Sequence, residues 1–313
     1  MDGGLVEIVA PGAAQVRYLE AHCGPAFTEA AQAVTGRLVS VAFKALGPEE
    51  ADDADEITSH ELNSGVRTSP DPAFALDRFV TDPANRLAHS AAVAVADRPG
   101  EAYNPLFVYG AAGLGKTHLL QGAVRASAGR YGECQCLYVP CQTFVGDAIR
   151  AMEEGREDEL RERYGALRLL AIDDVHLLAG RERSQEAFFH LLNLLSASQR
   201  QVMVSADRVP SELTGVQERL VSRLGAGLVV ALHVPCLETR MAIVREKAKL
   251  LAIDVPAEVA RLVAERYETD VRPLAEALVR LDALSTFESG PITVELANRA
   301  LEPGGPAMSR KAG

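Results

Sequence analysis

A chain of 313 residues, 48% of them hydrophobic, is long enough for two or three domains with real cores. Its formal net charge of −11 excludes a general polyanion binder, so any contact with nucleic acid must come from a local basic or apolar surface. Nothing resembles a signal peptide or a membrane-spanning segment, the longest apolar runs being strand-sized, and this predicts a soluble, cytoplasmic protein.

Residues 1–46 read as a small, partial β-α-β piece. Leu5–Val9 is a predicted strand, Ala13 to Val34 carries helical spacing broken near Gly24-Pro25, and Leu38–Phe43 is a second strand. So little chain can hardly cover its own sheet and is expected to be marginal alone. Residues 47–72 turn acidic (PEEADDADE) and then rich in Ser, Asn, Thr and Pro, which predicts a flexible linker with nothing to bury.

A second folded unit is expected over residues 73–235. Ser90–Asp97 belongs to an alanine-rich helix ended by Pro99-Gly100. Pro105 to Leu119 then reads PLFVYGAAGLGKTHL. A buried strand, Leu106–Tyr109, breaks into Gly110–Thr117, which fits the G-x-x-x-x-G-K-[ST] phosphate loop. Glycines let the backbone N–H groups converge on phosphate oxygens, and the following helix adds the positive end of its dipole. Lys116 suits the β- and γ-phosphates and the Thr117 hydroxyl suits Mg²⁺, so this stretch predicts nucleoside triphosphate binding.

Further strands are predicted near Cys136–Val139, Leu169–Asp173, Gln201–Ser205 and Leu228–Val234, each separated by helical segments. That alternation argues for a parallel sheet covered on both faces. The five cysteines, Cys23, Cys134, Cys136, Cys141 and Cys236, are odd in number and irregularly spaced. No His or second Cys pair completes a tetrahedral metal set. On a strand, Cys134, Cys136 and Tyr138 would share one buried face.

Leu169–Asp174 is an apolar strand ending in two acids, as a Walker B strand does. Asp173 would hold Mg²⁺ through water and Asp174 would position or deprotonate an attacking water. Ser205-Ala206-Asp207-Arg208 places a polar group where a γ-phosphate is expected, though a loop or capping Asp reads equally well. Arg219 and Arg223 lie four apart on one helical face, by default a solvated one. After Pro235 the pattern is purely helical over residues 236–302, at Glu238–Leu251, Pro256–Tyr267, Val271–Leu284 and Val294–Leu301. Residues 303–313 are expected to be disordered. Asp270 can cap a helix whose second residue is Arg272. The helix dipole disfavours an arginine there unless an anion lies nearby.

The run from Phe74 to Leu301 resembles the AAA+ core of the bacterial replication initiator family DnaA. The segments that carry the resemblance are FALDRFVTDPANRLAHSAAVAVADRPGEAYNPLFVYGAAGLGKTHLL, LLAIDDVHLLAGRERSQEAFFHLLN, ERLVSRLGAGLVVALHVPCLETRMAIV and DVRPLAEALVRL. They imply an α/β fold: a P-loop AAA+ core with a five-stranded parallel sheet, followed by an α-helical lid subdomain. They also imply ATP and Mg²⁺ as cofactors. By position, Phe79, Val80 and Asn85 enclose the adenine, and Gly113, Gly115, Lys116 and Thr117 form the nucleotide loop. Asp173 and Asp174 are the Walker B acids, and Asp207 is sensor I. Arg223 is the finger that reaches a neighbouring subunit's ATP, and Arg272 is the sensor II arginine of the lid.

The resemblance implies slow, regulatory ATP hydrolysis, Asp174 being shorter than the Glu common in AAA+ motors. It also implies head-to-tail self-assembly, which builds an open filament rather than a closed ring. The helical insertion over Gln142–Ala166 places Ile149, together with Arg183, where the family contacts single-stranded DNA, although the insertion carries more acids than bases. The chain stops at Gly313, without the family's duplex-reading helix-turn-helix domain. Its first residues resemble only the later half of the family's first domain, which normally serves self-association and contact with the replicative helicase. Besides an initiator, these features allow a regulator of a full-length initiator, a helicase loader or adaptor, or a truncated reading frame. His176 stands where the family usually has Gln and reads as a packing or surface residue.

Overall fold

The structure is a computed structural model that describes residues 71–302 and, as backbone strands, residues 4–10 and 39–45. In the first unit, β1 (Gly4–Ala10) and β2 (Val39–Ala45) pair in parallel, with Leu5 opposite Ser40 and Ile8 opposite Phe43. The helix expected over Ala13–Val34, the linker over 47–70 and the tail over 303–313 lie outside the described residues.

The second unit is built on a five-stranded sheet in the order β4-β5-β6-β3-β7. Its strands are β3 (Leu106–Tyr109), β4 (Cys136–Pro140), β5 (Leu169–Asp173), β6 (Gln201–Ala206) and β7 (Leu228–Ala231), every neighbouring pair parallel. Near-continuous apolar strands such as LFVY and LLAID are the signature of a sheet buried on both faces.

Side chains alternate between two cores, as the period of two demands. Leu106, Val108, Leu169, Ala171 and Met203 face α1 (Arg86–Asp97) and α2 (Lys116–Tyr131). Phe107, Leu170, Ile172 and Val204 face α3 (Cys141–Glu153), α4 (Glu157–Gly165), α5 (Glu182–Ala197) and α6 (Glu218–Leu224). On that second side Phe144 meets Tyr164 and Phe188 edge-on, with ring centroids 5.6 and 5.4 Å apart. Each such fully buried side chain contributes about 1.5–3 kcal/mol. Because β3 leads into α2 on one face and β6 leads towards α6 on the other, a crevice opens between their carboxyl ends.

The helical remainder has a core of its own. It is built from α7 (Leu237–Leu251), α8 (Ala257–Arg266), α9 (Arg272–Glu288) and α10 (Val294–Leu301) around Val244, Val263, Leu274, Leu278 and Leu296. Buried Arg240 stitches this lid together, donating to the Ala264 carbonyl at 2.9 Å and to the Pro235 carbonyl at 2.8 Å.

Three expectations shift. β7 stops at Ala231 instead of Val234, because it runs out towards Pro235 at the sheet edge, and His233 and Pro235 go on to line the core–lid cleft. α9 runs to Glu288, no breaker preceding Ser289-Gly290-Pro291. Cys134 lies in an exposed 3-10 turn (Glu133–Gln135), so only Cys136 and Tyr138 share the inner face. Burial pushes the Cys136 thiol up to about 11 and the Cys141 thiol up to about 12, which keeps both protonated and inert.

Gly122 marks the tightest approach to α2. A Cβ there would lie 2.7 Å from the Phe74 carbonyl oxygen and 2.8 Å from a Leu76 methyl. Gly122→Ala is therefore expected to destabilise the fold by about 1–3 kcal/mol, although alanine by itself favours a helix. Urea denaturation checks the sign, and a stabilised variant would refute the close approach.

Candidate functional site

The Gly110–Thr117 loop joins β3 to α2, and its three glycines have backbone angles that L side chains resist: Gly110 at φ 155°, Gly113 at φ 78° and Gly115 at φ 98°. Gly115 has a second reason to be glycine, because a Cβ would lie 2.9 Å from the Phe79 ring. Lys116 is buried, and its Nζ donates to the carbonyls of Gly110 at 2.8 Å and Ala111 at 3.0 Å, which holds the ammonium inside the curl of the loop.

Opposite the loop, Asp173 ends β5 buried and collects three hydroxyls. Thr117 Oγ1 donates to Oδ2 at 2.6 Å, the Tyr138 phenol donates to the same oxygen at 2.8 Å, and Ser205 Oγ donates to Oδ1. Burial, then the charge of Asp173, raises the Tyr138 phenol, so it stays a donor. Ser205 also accepts the Asp174 backbone N–H at 2.8 Å. Asp174 itself is left-handed (φ 61°), which turns its side chain out of the strand direction.

Beyond Asp174 lies His176. Its Nδ1 is buried, without a hydrogen-bond partner among the described residues, 3.9 Å from an Asp174 oxygen and 3.7 Å from an Asp207 oxygen. Asp207 is forked onto Arg208 (3.0 and 2.6 Å), whose guanidinium holds its carboxyl below the ordinary range. His176 is thus packed between Asp174 and Asp207 without hydrogen-bonding either, in keeping with its sequence reading as a packing or surface residue. Tyr138 and Ser205 were not singled out as site residues. Their signal was parity, since with Asp173 they fall on the α2 side of three adjacent strands.

A cleft of about 370 Å³ separates this floor from the lid. Gly113, Gly115, Lys116, Thr117, Asp174 and Arg272 line its polar part, and Phe79, Val80 and Ile243 line its apolar part. Phe79 stacks on His89 (centroids 5.6 Å apart, 15° between planes) and meets His118 edge-on at 5.2 Å. Burial lowers the His118 imidazole, and a ring nitrogen lies 2.9 Å from the Ala75 carbonyl oxygen. Asn85 reaches the cleft wall, but its amide is spent locally: Nδ2 donates to the Val80 carbonyl at 3.0 Å and Oδ1 accepts the Asp82 N–H at 2.8 Å. Asn85 thus shapes the loop that presents Phe79 and Val80. On the lid, burial lowers the Lys247 ammonium, which also lines the cleft.

α9 begins at Arg272, and the anion that offsets the helix dipole is Asp270, two residues earlier, forked onto the guanidinium. The other predicted residues lie elsewhere. Half-buried Arg223, on α6, donates from Nε to Asn193 at 2.7 Å. Exposed Arg219 lies over the Phe189 ring at 4.8 Å. Ile149 is exposed on α3. Arg183, on α5, lines a separate groove of about 380 Å³ with Phe144, Met152, Leu160 and Arg161. The structure brings together the loop, both Walker B acids, Phe79, Val80 and Arg272. It places Asp207 beside His176, and it leaves Arg223, Ile149 and Arg183 outside the cleft.

Residues 71–231 match the family described as the bacterial DnaA ATPase domain. The chromosomal replication initiator protein DnaA of Thermomicrobium roseum is 36% identical over 97% of this chain and 69% of its own length. That of Roseiflexus castenholzii is 42% identical over 77% of this chain, which spans 50% of the relative. Domain III of Thermotoga maritima DnaA superposes with a TM-score of 0.72 at 36% identity, over 75% of this chain and 98% of that one. A replication initiator DnaA bound to AMPPCP and single-stranded DNA superposes at 0.63 with 32% identity, over 70% of this chain and 69% of that one.

Burial, and then the neighbouring Asp173, raises the Asp174 carboxyl above its ordinary value. A raised carboxyl contributes stability below the unfolded pKa and loses it as pH rises through the folded one. Asp174→Asn is therefore expected to raise the melting temperature at pH 7, by no more than about 2 °C because the side chain is half in solvent. The gain should fade as pH falls towards about 4 and be absent below it. Thermal melts at the two pH values check this, and a variant less stable than the parent at pH 7 would contradict it.

Proposed function

The chain belongs to the bacterial DnaA family, and from that premise we propose that residues 71–302 work as an ATP-driven switch in replication initiation. The observation that carries the reading is the meeting of the Thr117 hydroxyl with buried Asp173 beneath a loop holding Lys116, in a cleft that Arg272 also lines. In this reading the adenine takes the apolar part of the cleft against Phe79, Val80 and Ile243, and the phosphates lie on the loop. Lys116 exchanges its two carbonyl partners for phosphate oxygens.

The donor set suits Mg²⁺. Thr117 and Asp173 offer hard oxygens, and no cluster of three His, Cys, Asp or Glu among the described residues could hold a metal unaided. Magnesium typically takes one or two protein oxygens and completes its shell with phosphate and water. Its chemistry there is to neutralise charge building on the β- and γ-phosphates. Asp174 orients the attacking water, its carboxyl being raised above the ordinary aspartate value by burial. Hydrolysis is slow because a short Asp must reach the water.

Arg272, from the lid, and Arg223, from a neighbouring copy, each gain an anionic partner when the γ-phosphate is present and lose it on hydrolysis. That difference couples nucleotide state to head-to-tail assembly. Contact with single-stranded DNA through Ile149 and Arg183 is proposed on the precedent of the strand-bound DnaA relative. Among the described residues no helix is long and apolar enough to cross a membrane.

Lys116→Ala is expected to weaken ATP binding by roughly tenfold to a hundredfold, the loss of one or two charge-assisted hydrogen bonds. Arg223→Ala should bind ATP as the parent does yet fail to assemble on adding it, as read by sedimentation with and without single-stranded DNA. Assembly of that variant at parental levels would remove the trans-acting arginine from the account.

A further inference from the structure

We infer that Asp270 is a specificity-determining residue: its carboxylate competes with a terminal phosphate for Arg272 and so sets how strongly the cleft prefers a nucleoside triphosphate over a diphosphate. The inference rests on the nucleotide reading above and deepens it.

Asp270 is engaged on three sides. Its Oδ2 accepts Arg272 Nη2 at 2.7 Å and Nε at 3.1 Å, the two-point grip that a guanidinium otherwise offers a phosphate. Its Oδ1 accepts the Arg272 backbone N–H, the first of α9, at 2.8 Å, although the N-cap position itself is Val271 and not Asp270. The same carboxylate lies against the phosphate loop: a Cβ on Gly113 would be 1.7 Å from Oδ1, and the next residue, Val271, donates its N–H to the Gly113 carbonyl at 3.3 Å. A fixed negative charge thus rests on the loop expected to cradle phosphates, and it holds the lid's arginine.

The two partners are unequal. Asp270 is short, holds the first N–H of α9 and is wedged on the loop. The Arg272 side chain is long and 65% exposed, so the guanidinium is the one free to move. Glu276 and Asp174 also act on Arg272, but neither hydrogen-bonds it among the described residues. A triphosphate must draw Arg272 off Asp270, whereas a diphosphate has no terminal phosphate with which to compete for the guanidinium. Asp270 therefore restrains triphosphate preference, whereas a pre-organising residue would raise it.

The test measures ATP and ADP affinities of the full chain with Mg²⁺, by displacement of a fluorescent nucleotide. Asp270→Asn and Asp270→Ser both keep an acceptor for the Arg272 N–H, so at least one is expected to fold as the parent does by circular dichroism. Each should raise the ATP:ADP affinity ratio about threefold to fivefold, the scale of an exposed ion pair. Asp270→Glu, which keeps the charge, should stay within about twofold of the parent. Arg272→Ala should lower the ratio, and Asp270→Asn with Arg272→Ala should show no gain over Arg272→Ala alone. A ratio unchanged or lowered in the neutral variants, while Arg272→Ala still lowers it, overturns this inference and leaves the nucleotide reading intact. A gain that survives removal of Arg272 overturns it too, because Asp270 would then act on the phosphates directly. No effect of Arg272→Ala would overturn both.

Discussion

The carboxylate of Asp173 organises the working end of this protein. An ionised group buried at the end of a central strand is costly unless hydrogen bonds replace its water. Here the replacements come from three other places in the chain: Thr117 after β3, Tyr138 on β4 and Ser205 on β6. Satisfying one charge therefore ties together the carboxyl ends of four strands. It also leaves the Thr117 and Asp173 oxygens facing one another beneath the phosphate loop. The Ser205 hydroxyl extends the network by one step, since it receives the N–H of left-handed Asp174. The backbone that aims Asp174 is thus held by the same buried charge.

The lid is joined to this floor by short polar contacts and not by a continuous apolar core. Val271 reaches the Gly113 carbonyl and Asp270 rests on the same glycine, while the lid's own hydrophobic residues pack among themselves. Two cores joined through a few hydrogen bonds at a cleft is the arrangement expected where a ligand shifts one body against the other. The cations gathered there have different situations. Lys116 is satisfied by the loop, Arg272 by Asp270, and the Lys247 ammonium is lowered by burial. Arg78, Lys116, Lys247 and Arg272 are the cations that line the cleft of this otherwise acidic chain.

The residues proposed for assembly and strand contact lie on other surfaces. Arg223 is parked on Asn193, and Arg219 is supported by the Phe189 ring and by Glu186 at 3.7 Å. Both project from α6 on the opposite side of the sheet from α2. The proposed head-to-tail contact rests on this separation of the arginine from the nucleotide cleft.

What the sequence determined by itself was local. Apolar runs of strand length, the glycine spacing from Gly110 to Gly115, and an apolar strand ending in Asp173-Asp174 are each contained within a few residues. Their physics is short-range: side-chain alternation, backbone freedom at glycine, and the start of a helix. The elements of the second unit accordingly lie where their periodicity puts them, to within a turn. Tertiary structure alone decided which polar side chain meets which. That Tyr138 and Ser205 serve Asp173, that His176 lies between Asp174 and Asp207, and that Arg272 closes on Asp270 above Gly113 all depend on strand register and on the seating of the lid. Those are set by packing between residues dozens to hundreds of positions apart, which no window along the chain contains.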